Sequence, residues 1–192
     1  MHEKIMDEVI YPTVQGLASD GIKFTGFLYA GLMIGEDGVP QVLEFNCRFG
    51  DPETQPVMMR MQSDLVAHCL AAINGTLAEE SASWDTRIAL GIVMAAEGYP
   101  DTYARGQVID GLKKDGPGIS TDDGSVKVFH AGTRFEGSDV VTAGGRVLCV
   151  TGLGHDIHSV RRTVYEEAKK VHWDGCWYRT DIGHRAVGRL SR

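Results

Sequence analysis

Val42 to Gln55 reads V-L-E-F-N-C-R-F-G-D-P-E-T-Q, and its first half alternates in the manner of a strand. Successive side chains on a strand point to opposite faces, so Leu43 and Phe45 are expected to enter a core together. Glu44, Asn46 and, if the strand runs that far, Arg48 then share the other face. A carboxylate, an amide oxygen and a guanidinium side by side suit a hard cation and an anionic substrate at once. Mg2+ takes oxygen ligands and usually keeps phosphates in its shell, while Arg meets phosphate or carboxylate with a planar fork.

The second half of the stretch predicts a turn into a helix. Gly50 permits a positive φ, Asp51 is a good N-cap and Pro52 suits the first helical position. Pro56 would remove an intrahelical bond from a helix running through it. A single turn over 52–55 and a second helix from about Pro56 are therefore expected, with free N–H groups that favour anions. Taken alone, E-x-N-x-R is a weak pattern, equally suited to an edge strand with solvated polar residues.

Working outward, Phe24 to Ile34 reads as an apolar strand, and Gly35-Glu36-Asp37-Gly38 as a turn. The pair forms a hairpin. For loops of two or four residues, Glu44 and Asn46 pair with odd-numbered partners among Phe27, Tyr29 and Gly31. Leu28, Ala30, Leu32 and Ile34 then join Leu43 and Phe45 in the core, and Gly31 leaves space beside the polar face. Upstream, Ile5, Val9, Ile10, Val14 and Leu17 recur at helical spacing over 4–19, with Pro12 expected to kink or divide the helix. Downstream, Val57 to Ile73 predicts one helix with Met58, Met61, Leu65, Cys69 and Ile73 on a stripe, closed by Asn74-Gly75. The polar stretch 76–83 predicts a subdomain boundary.

Beyond it the texture changes to short strands and Gly-rich turns. Ile88 to Ala95 predicts a central strand, with further strands at Gly106 to Leu112, Val126 to Thr133 and Arg146 to Thr151. Lys113 to Ser125 reads as a turn-rich loop. Its Asp122-Asp123 pair lacks the alternating ligands of a calcium loop, and Gly144-Gly145 lacks the Lys-Ser/Thr of a P-loop. Asp156 starts a helix with Ile157, Val160, Val164, Ala168 and Val171 on one face. Trp173 or Trp177 packs beyond it, and Arg185 to Arg192 is expected to fray.

Composition bounds the function classes. The 192 residues suffice for one good core or two small ones. A net charge of −7 with no basic run argues against a nucleic-acid surface. No apolar run spans a bilayer, and the charged start M-H-E-K-I-M-D-E lacks the apolar core of a signal peptide. Cys47, Cys69, Cys149 and Cys176 are far apart with no C-x-x-C spacing, which predicts free thiols in a reducing cytoplasm. His155 and His158 sit at a helix start and are assigned no metal.

The full run E-F-N-C-R-F-G-D-P-E-T-Q-P closely resembles the signature of the glycinamide ribonucleotide synthetases (phosphoribosylamine–glycine ligases), ATP-grasp enzymes of purine synthesis. T-G-F-L-Y-A-G-L-M-I before it, and V-F-H-A-G-T and G-G-R-V-L-C-V-T after it, resemble the same family in the same order, from about residue 1 to 185. The resemblance implies an α+β chain. Residues 1–76 would be the C-terminal part of an ATP-grasp domain (antiparallel hairpin plus helices), and 84–192 a β-rich C-terminal domain with a packed helix. It covers somewhat under half of the family's chain, so an N-terminal α/β domain and a nucleotide-clamping domain are expected upstream, in cis.

For chemistry the resemblance implies ATP-dependent ligation of glycine to 5-phosphoribosylamine through an acyl phosphate. Glu44 and Asn46 would hold Mg2+ (or Mn2+) and with it ATP. Arg48 would neutralise the glycine carboxylate or the acyl phosphate, and Asp51 and Glu53 would shape the loop and contact the amine, or merely cap a helix. Many ATP-grasp enzymes place another acidic ligand about a dozen residues before E-x-N, on the preceding strand. Position 32 here is Leu32, so the second metal contact rests on Asn46. Two rivals stand beside this reading: another ATP-grasp carboxylate–amine ligase, and a non-catalytic interaction module.

Overall fold

The computed structural model describes residues 1–112, 121 and 124–190. They fall into two compact units, Met1–Asp51 with Ser63–Ala82, and Pro52–Gln62 with Ser83–Arg192. The chain thus crosses between units inside the R-F-G-D-P-E-T-Q run, and 52–62 packs with the later residues rather than with the hairpin before it.

In the first unit, α1 (His2–Ile5), a π-helical turn (Met6–Ile10) and α2 (Tyr11–Ser19) follow one another without a break. Pro12 has no N–H, and its ring opposes the carbonyl four residues back. The wider π turn immediately before it absorbs both defects, so the helix continues instead of dividing.

The hairpin consists of β1 (Tyr29–Ile34) and β2 (Pro40–Asn46), antiparallel. β1 begins at Tyr29, not Phe24. The connection spans 35–39, where the Asp37 carboxylate accepts a hydrogen bond from the Val39 N–H at 3.0 Å. Val42 pairs with Leu32 and Glu44 with Gly31, so Leu43 is an extra residue, a β-bulge. Leu43 and Phe45 were expected in a core, but they are 65% and 43% exposed. The elements of this unit leave that face open, and Ile34 is exposed with them.

The expected single helix from Val57 to Ile73 is two helices, α3 (Thr54–Arg60) and α4 (Leu65–Asn74), in different units. Between them Met61 turns extended and bridges Trp84. Gln62 N–H donates to the Ser83 carbonyl at 2.9 Å and Asp85 N–H to the Arg60 carbonyl. Asp64 then caps α4, accepting from Val66 N–H at 2.8 Å. A strand-like pairing plus a cap outweighs the helical periodicity, and the predicted stripe is cut. The Gly75 ending was legible: it adopts the left-handed conformation (φ 76°) as the C-cap. Pro56 sits in the first turn of α3, where its missing N–H has no partner to lose. Hence α3 runs through it, with Glu53 rather than Asp51 at the N-cap.

The second unit holds nearly all of the core; among the described residues only Val9 and Ala71 are buried apolar residues outside it. Its sheet orders β4 (Val126–His130), β7 (Arg146–Gly154), β3 (Ile88–Ala96) and β8 (Cys176–Trp177), all antiparallel. A separate hairpin pairs β5 (Thr133–Glu136) with β6 (Asp139–Thr142). Gly106–Leu112 forms isolated bridges, Val108 to Val141 and Asp110 to His172, with further backbone hydrogen bonds to Val140 and Thr142, rather than the expected strand. The expected strand over Val126 to Thr133 is divided by a bend at Ala131-Gly132. Of the loop expected over Lys113–Ser125, residues 113–120 and 122–123 lie outside the described residues.

α5 (Ile157–Ala168) packs its apolar face on β3 and β7. Ile157, Val160, Val164 and Ala168 are buried, as are Val171 and Trp173 beyond the helix, while Trp177 is exposed. Asp156 caps it, accepting from the His158 and Ser159 N–H groups at 2.9 Å each. Where fraying was expected, α6 (His184–Leu190) forms. The chain leading to it is pinned to α5: Ile182 N–H donates to Tyr165 Oη at 3.0 Å, and Arg161 Nε to the Ile182 carbonyl at 2.7 Å.

Candidate functional site

The polar face of β2 is set by its register. Asn46 lies opposite Tyr29 and Glu44 opposite Gly31. A Cβ at Gly31 would lie 3.0 Å from Glu44 Cγ, so the glycine is occupied rather than open: it makes room for the Glu44 side chain itself. Glu44 and Asn46, two apart on the strand, touch directly, with Asn46 Nδ2 donating to Glu44 Oε1 at 3.1 Å. That bond uses the amide nitrogen of Asn46, which leaves its amide oxygen as the acceptor beside the carboxylate. Two hard oxygen donors on one accessible face match part of a Mg2+ shell whose remainder is phosphate and water. Among the described residues no group of three or more His, Cys, Asp or Glu converges on a metal position. The two-donor set is the arrangement the residues themselves offer.

Arg48 lies beyond the end of β2, in a bend, so it does not continue the Glu44–Asn46 face by strand alternation. Its Nη1 donates to the Phe49 carbonyl at 3.2 Å. Phe49 stacks on Phe27 with ring centroids 4.2 Å apart, which anchors the bend to the chain entering β1. Asp51 ends the first unit and is exposed. Glu53 belongs to the second unit, at the N-cap of α3, where its side chain makes no capping bond. The structure therefore brings Glu44 and Asn46 into contact, and sets Arg48, Asp51 and Glu53 along the turn that follows.

α3 is held against the second unit's sheet at a close approach. A Cβ at Gly91 of β3 would meet Pro56 Cγ and Cys149 Sγ, each at 3.2 Å. Pro56, which looked like a helix breaker, is a packing surface. Reading the strand and turn alone missed Arg60 and Trp84, brought together by the 60–62 and 83–85 pairing. The only signal was a lone Arg late in a helix and a W-D-x-R run a score of residues later.

The phosphoribosylglycinamide synthetase C domain matches residues 89–185, and the ATP-grasp (A) domain of the same synthetase matches residues 1–54. The chain is 54% identical over 189 residues to a phosphoribosylamine–glycine ligase of Vibrio vulnificus, and 55% over 190 residues to that of Escherichia coli O157:H7. Each match covers 98% of this chain and 43% of the relative. A crystal structure of phosphoribosylamine–glycine ligase from Thermotoga maritima superposes with a TM-score of 0.77 at 34% identity, over 94% of this chain and 42% of that one. The biotin carboxylase domain of Hydrogenobacter thermophilus 2-oxoglutarate carboxylase, solved with MgADP, ADP and bicarbonate, shares the fold at TM-score 0.52 and 14% identity. With both domain matches in order along one chain, and with relatives more than half identical across nearly all of it, the chain belongs to the phosphoribosylglycinamide synthetase family, spanning less than half the length of its curated relatives.

Proposed function

We propose that this chain is the part of a phosphoribosylamine–glycine ligase that carries the metal- and phosphate-facing strand and the C domain. Residues 1–76 contribute the end of the ATP-grasp domain and 84–192 the C domain, with the nucleotide-clamping part supplied in cis. The whole protein ligates glycine to 5-phosphoribosylamine with ATP, in the cytoplasm, where the four free thiols are at home. The observation that carries the reading is the Glu44–Asn46 contact on one open face of β2, in a chain of this family.

Glu44 and Asn46 hold Mg2+ or Mn2+ through their side-chain oxygens, and the ion, when bound, neutralises charge on the ATP phosphates. The glycine carboxylate attacks the γ-phosphorus, ADP leaves, and an acyl phosphate results. The amine of 5-phosphoribosylamine then attacks the acyl carbon, phosphate leaves, and glycinamide ribonucleotide forms. Such transfers are driven by positioning and charge neutralisation. Arg48 exchanges its Phe49 carbonyl for the glycine carboxylate, which its fork fits. Asp51 and Glu53 accept N–H groups of the amine, and Asp51 takes its proton.

The test is a chimera in which residues 1–192 replace the matching part of the Escherichia coli relative. ADP release should require glycine and 5-phosphoribosylamine together. Stimulation by a different carboxylic acid would make this another ATP-grasp ligase. A folded chimera releasing no ADP would favour a non-catalytic module.

A further inference from the structure

The second unit carries a cleft of about 360 Å3 whose walls include Pro56, Val57, Arg60, Trp84, Arg87 and Ile88. Its construction is rigid. Residues 60–62 and 83–85 are tied by the Met61–Trp84 bridge and by backbone hydrogen bonds in both directions. Arg60 Nε donates to the Asp85 carbonyl at 3.0 Å, which fixes the guanidinium, and among the described residues no other hydrogen bond occupies its nitrogens. Arg87 is spoken for: its Nε and Nη2 fork onto the Asp85 carboxylate at 3.0 and 2.7 Å. That pair offsets its own charge, and although Arg60 also feels the Asp85 carboxylate, the described residues around the cleft keep a net positive charge in a chain of net charge −7. Trp84 lines the same cleft and is 42% exposed although its backbone is pinned. Pro56, Val57 and Ile88 supply the rest of an apolar wall.

A held cation and a half-exposed tryptophan lining the same cleft, with apolar walls, make a two-part recognition surface. The ring takes a flat group by stacking, and the guanidinium takes an anion through its Nη nitrogens. The volume lies at the lower end of ordinary small-ligand pockets. We propose that the Arg60–Trp84 cleft binds a small anion carrying a planar ring, with the ring against Trp84 and the anionic group on Arg60. Nucleoside monophosphates and aromatic carboxylates share that chemistry. Its recognition does not draw on Glu44 or Asn46, so it stands or falls apart from the ligase reading.

The three tryptophans make the experiment self-controlled. In the 15N-labelled 192-residue chain, the Trp84 indole N–H is the signal lost in Trp84→Leu. Trp173, 1% exposed, is the buried reference, and Trp177, 57% exposed, reports unspecific stacking. Adenosine monophosphate and benzoate are titrated as ring-bearing anions, with adenosine as the ring alone and inorganic phosphate as the anion alone. The Trp84 signal should move saturably with at least one ring-bearing anion while Trp177 stays still, and the tighter of the two identifies the source. Adenosine and phosphate should each bind about fivefold more weakly or less. Arg60→Gln should weaken binding about tenfold. If that variant unfolds, loss of saturable binding in Trp84→Leu, followed on shifted backbone amides, decides instead. Parallel, unsaturated shifts at Trp84 and Trp177 would overturn the proposal. So would phosphate alone acting as strongly as the ring-bearing anion, which would mean an adventitious ion only.

Discussion

Leu43 decides which residues Glu44 faces. With a five-residue connection and no bulge, Glu44 would lie opposite Ala30; the extra residue shifts the pairing by one and puts it opposite Gly31. Odd-numbered partners were therefore right for Glu44 and Asn46, but through a bulge rather than a loop of two or four residues. The consequence is steric, because Ala30 would set a methyl where Gly31 admits the Glu44 methylene. The residue scale also carries a pH prediction. The Arg87 guanidinium, with the Arg87 N–H, holds the Asp85 carboxyl down at about 2. A carboxyl depressed by folding stabilises the fold fully above its ordinary value of 3.8 and loses that contribution as pH falls through about 2. The Asp85 carboxyl carbon, followed by NMR, should titrate near 2, and in Arg87→Met it should return toward 3.8. A midpoint unmoved by the substitution would break the fork.

At the element scale, α5 sits on β7 as closely as its side chains allow. A Cβ at Gly154 would come within 2.8 Å of Val160 Cβ and 3.0 Å of Val160 N. Gly154→Ala should therefore cost about 1–3 kcal/mol by pushing the helix off the sheet. Val160→Asp should cost several kcal/mol, roughly 3–5, by burying an unpaired charge. Chemical denaturation measures both, and an unchanged midpoint for Val160→Asp would remove α5 from the core. α5 ends at Ala168, and Val171, expected on it, is buried beyond its end. Its start at Asp156 and its buried Ile157, Val160, Val164 and Ala168 were legible, because periodicity and tertiary contacts agree. α3 and α4 were not. Their periodicity runs unbroken from Val57 to Ile73, and the break at Met61 comes from pairing with 83–85, over twenty residues away in the chain. Pro56 misled for a local reason: a proline is harmless in a first turn, and the start of α3 was placed too late.

At the scale of the whole molecule, the two units differ in what they bury. The second closes a core between sheet and helix, whereas the first leaves Leu43, Phe45, Val66, Leu70 and Ile73 exposed. No described helix is long and apolar enough to cross a membrane. The alternation of β2 told which residues share a face, which is a local property. It could not tell that the apolar face would stay open, since burial depends on what else packs there. One carboxylate and one amide leave most metal positions to phosphate and water. With the Arg60–Trp84 cleft removed by Trp84→Leu, the 192-residue chain alone should then show no micromolar affinity for Mg-ATP in a calorimetric titration. Micromolar binding would put the nucleotide site elsewhere in these residues.

The central claim is that the polar face of β2 is chemical and its other face structural only where it is covered. Glu44→Gln keeps the volume and one oxygen but removes the charge that holds the metal. Leu43→Gln alters an exposed bulge residue, which overturns the expectation of a folding defect drawn from alternation alone. Both variants belong in the chimera with the Escherichia coli relative, with ADP release and thermal melting measured on the same preparations. Turnover should fall by orders of magnitude in Glu44→Gln, with its melting temperature unchanged or raised, while Leu43→Gln should stay within a few-fold of the parent in turnover. Glu44→Gln retaining activity, or losing it only in step with stability, would contradict the account.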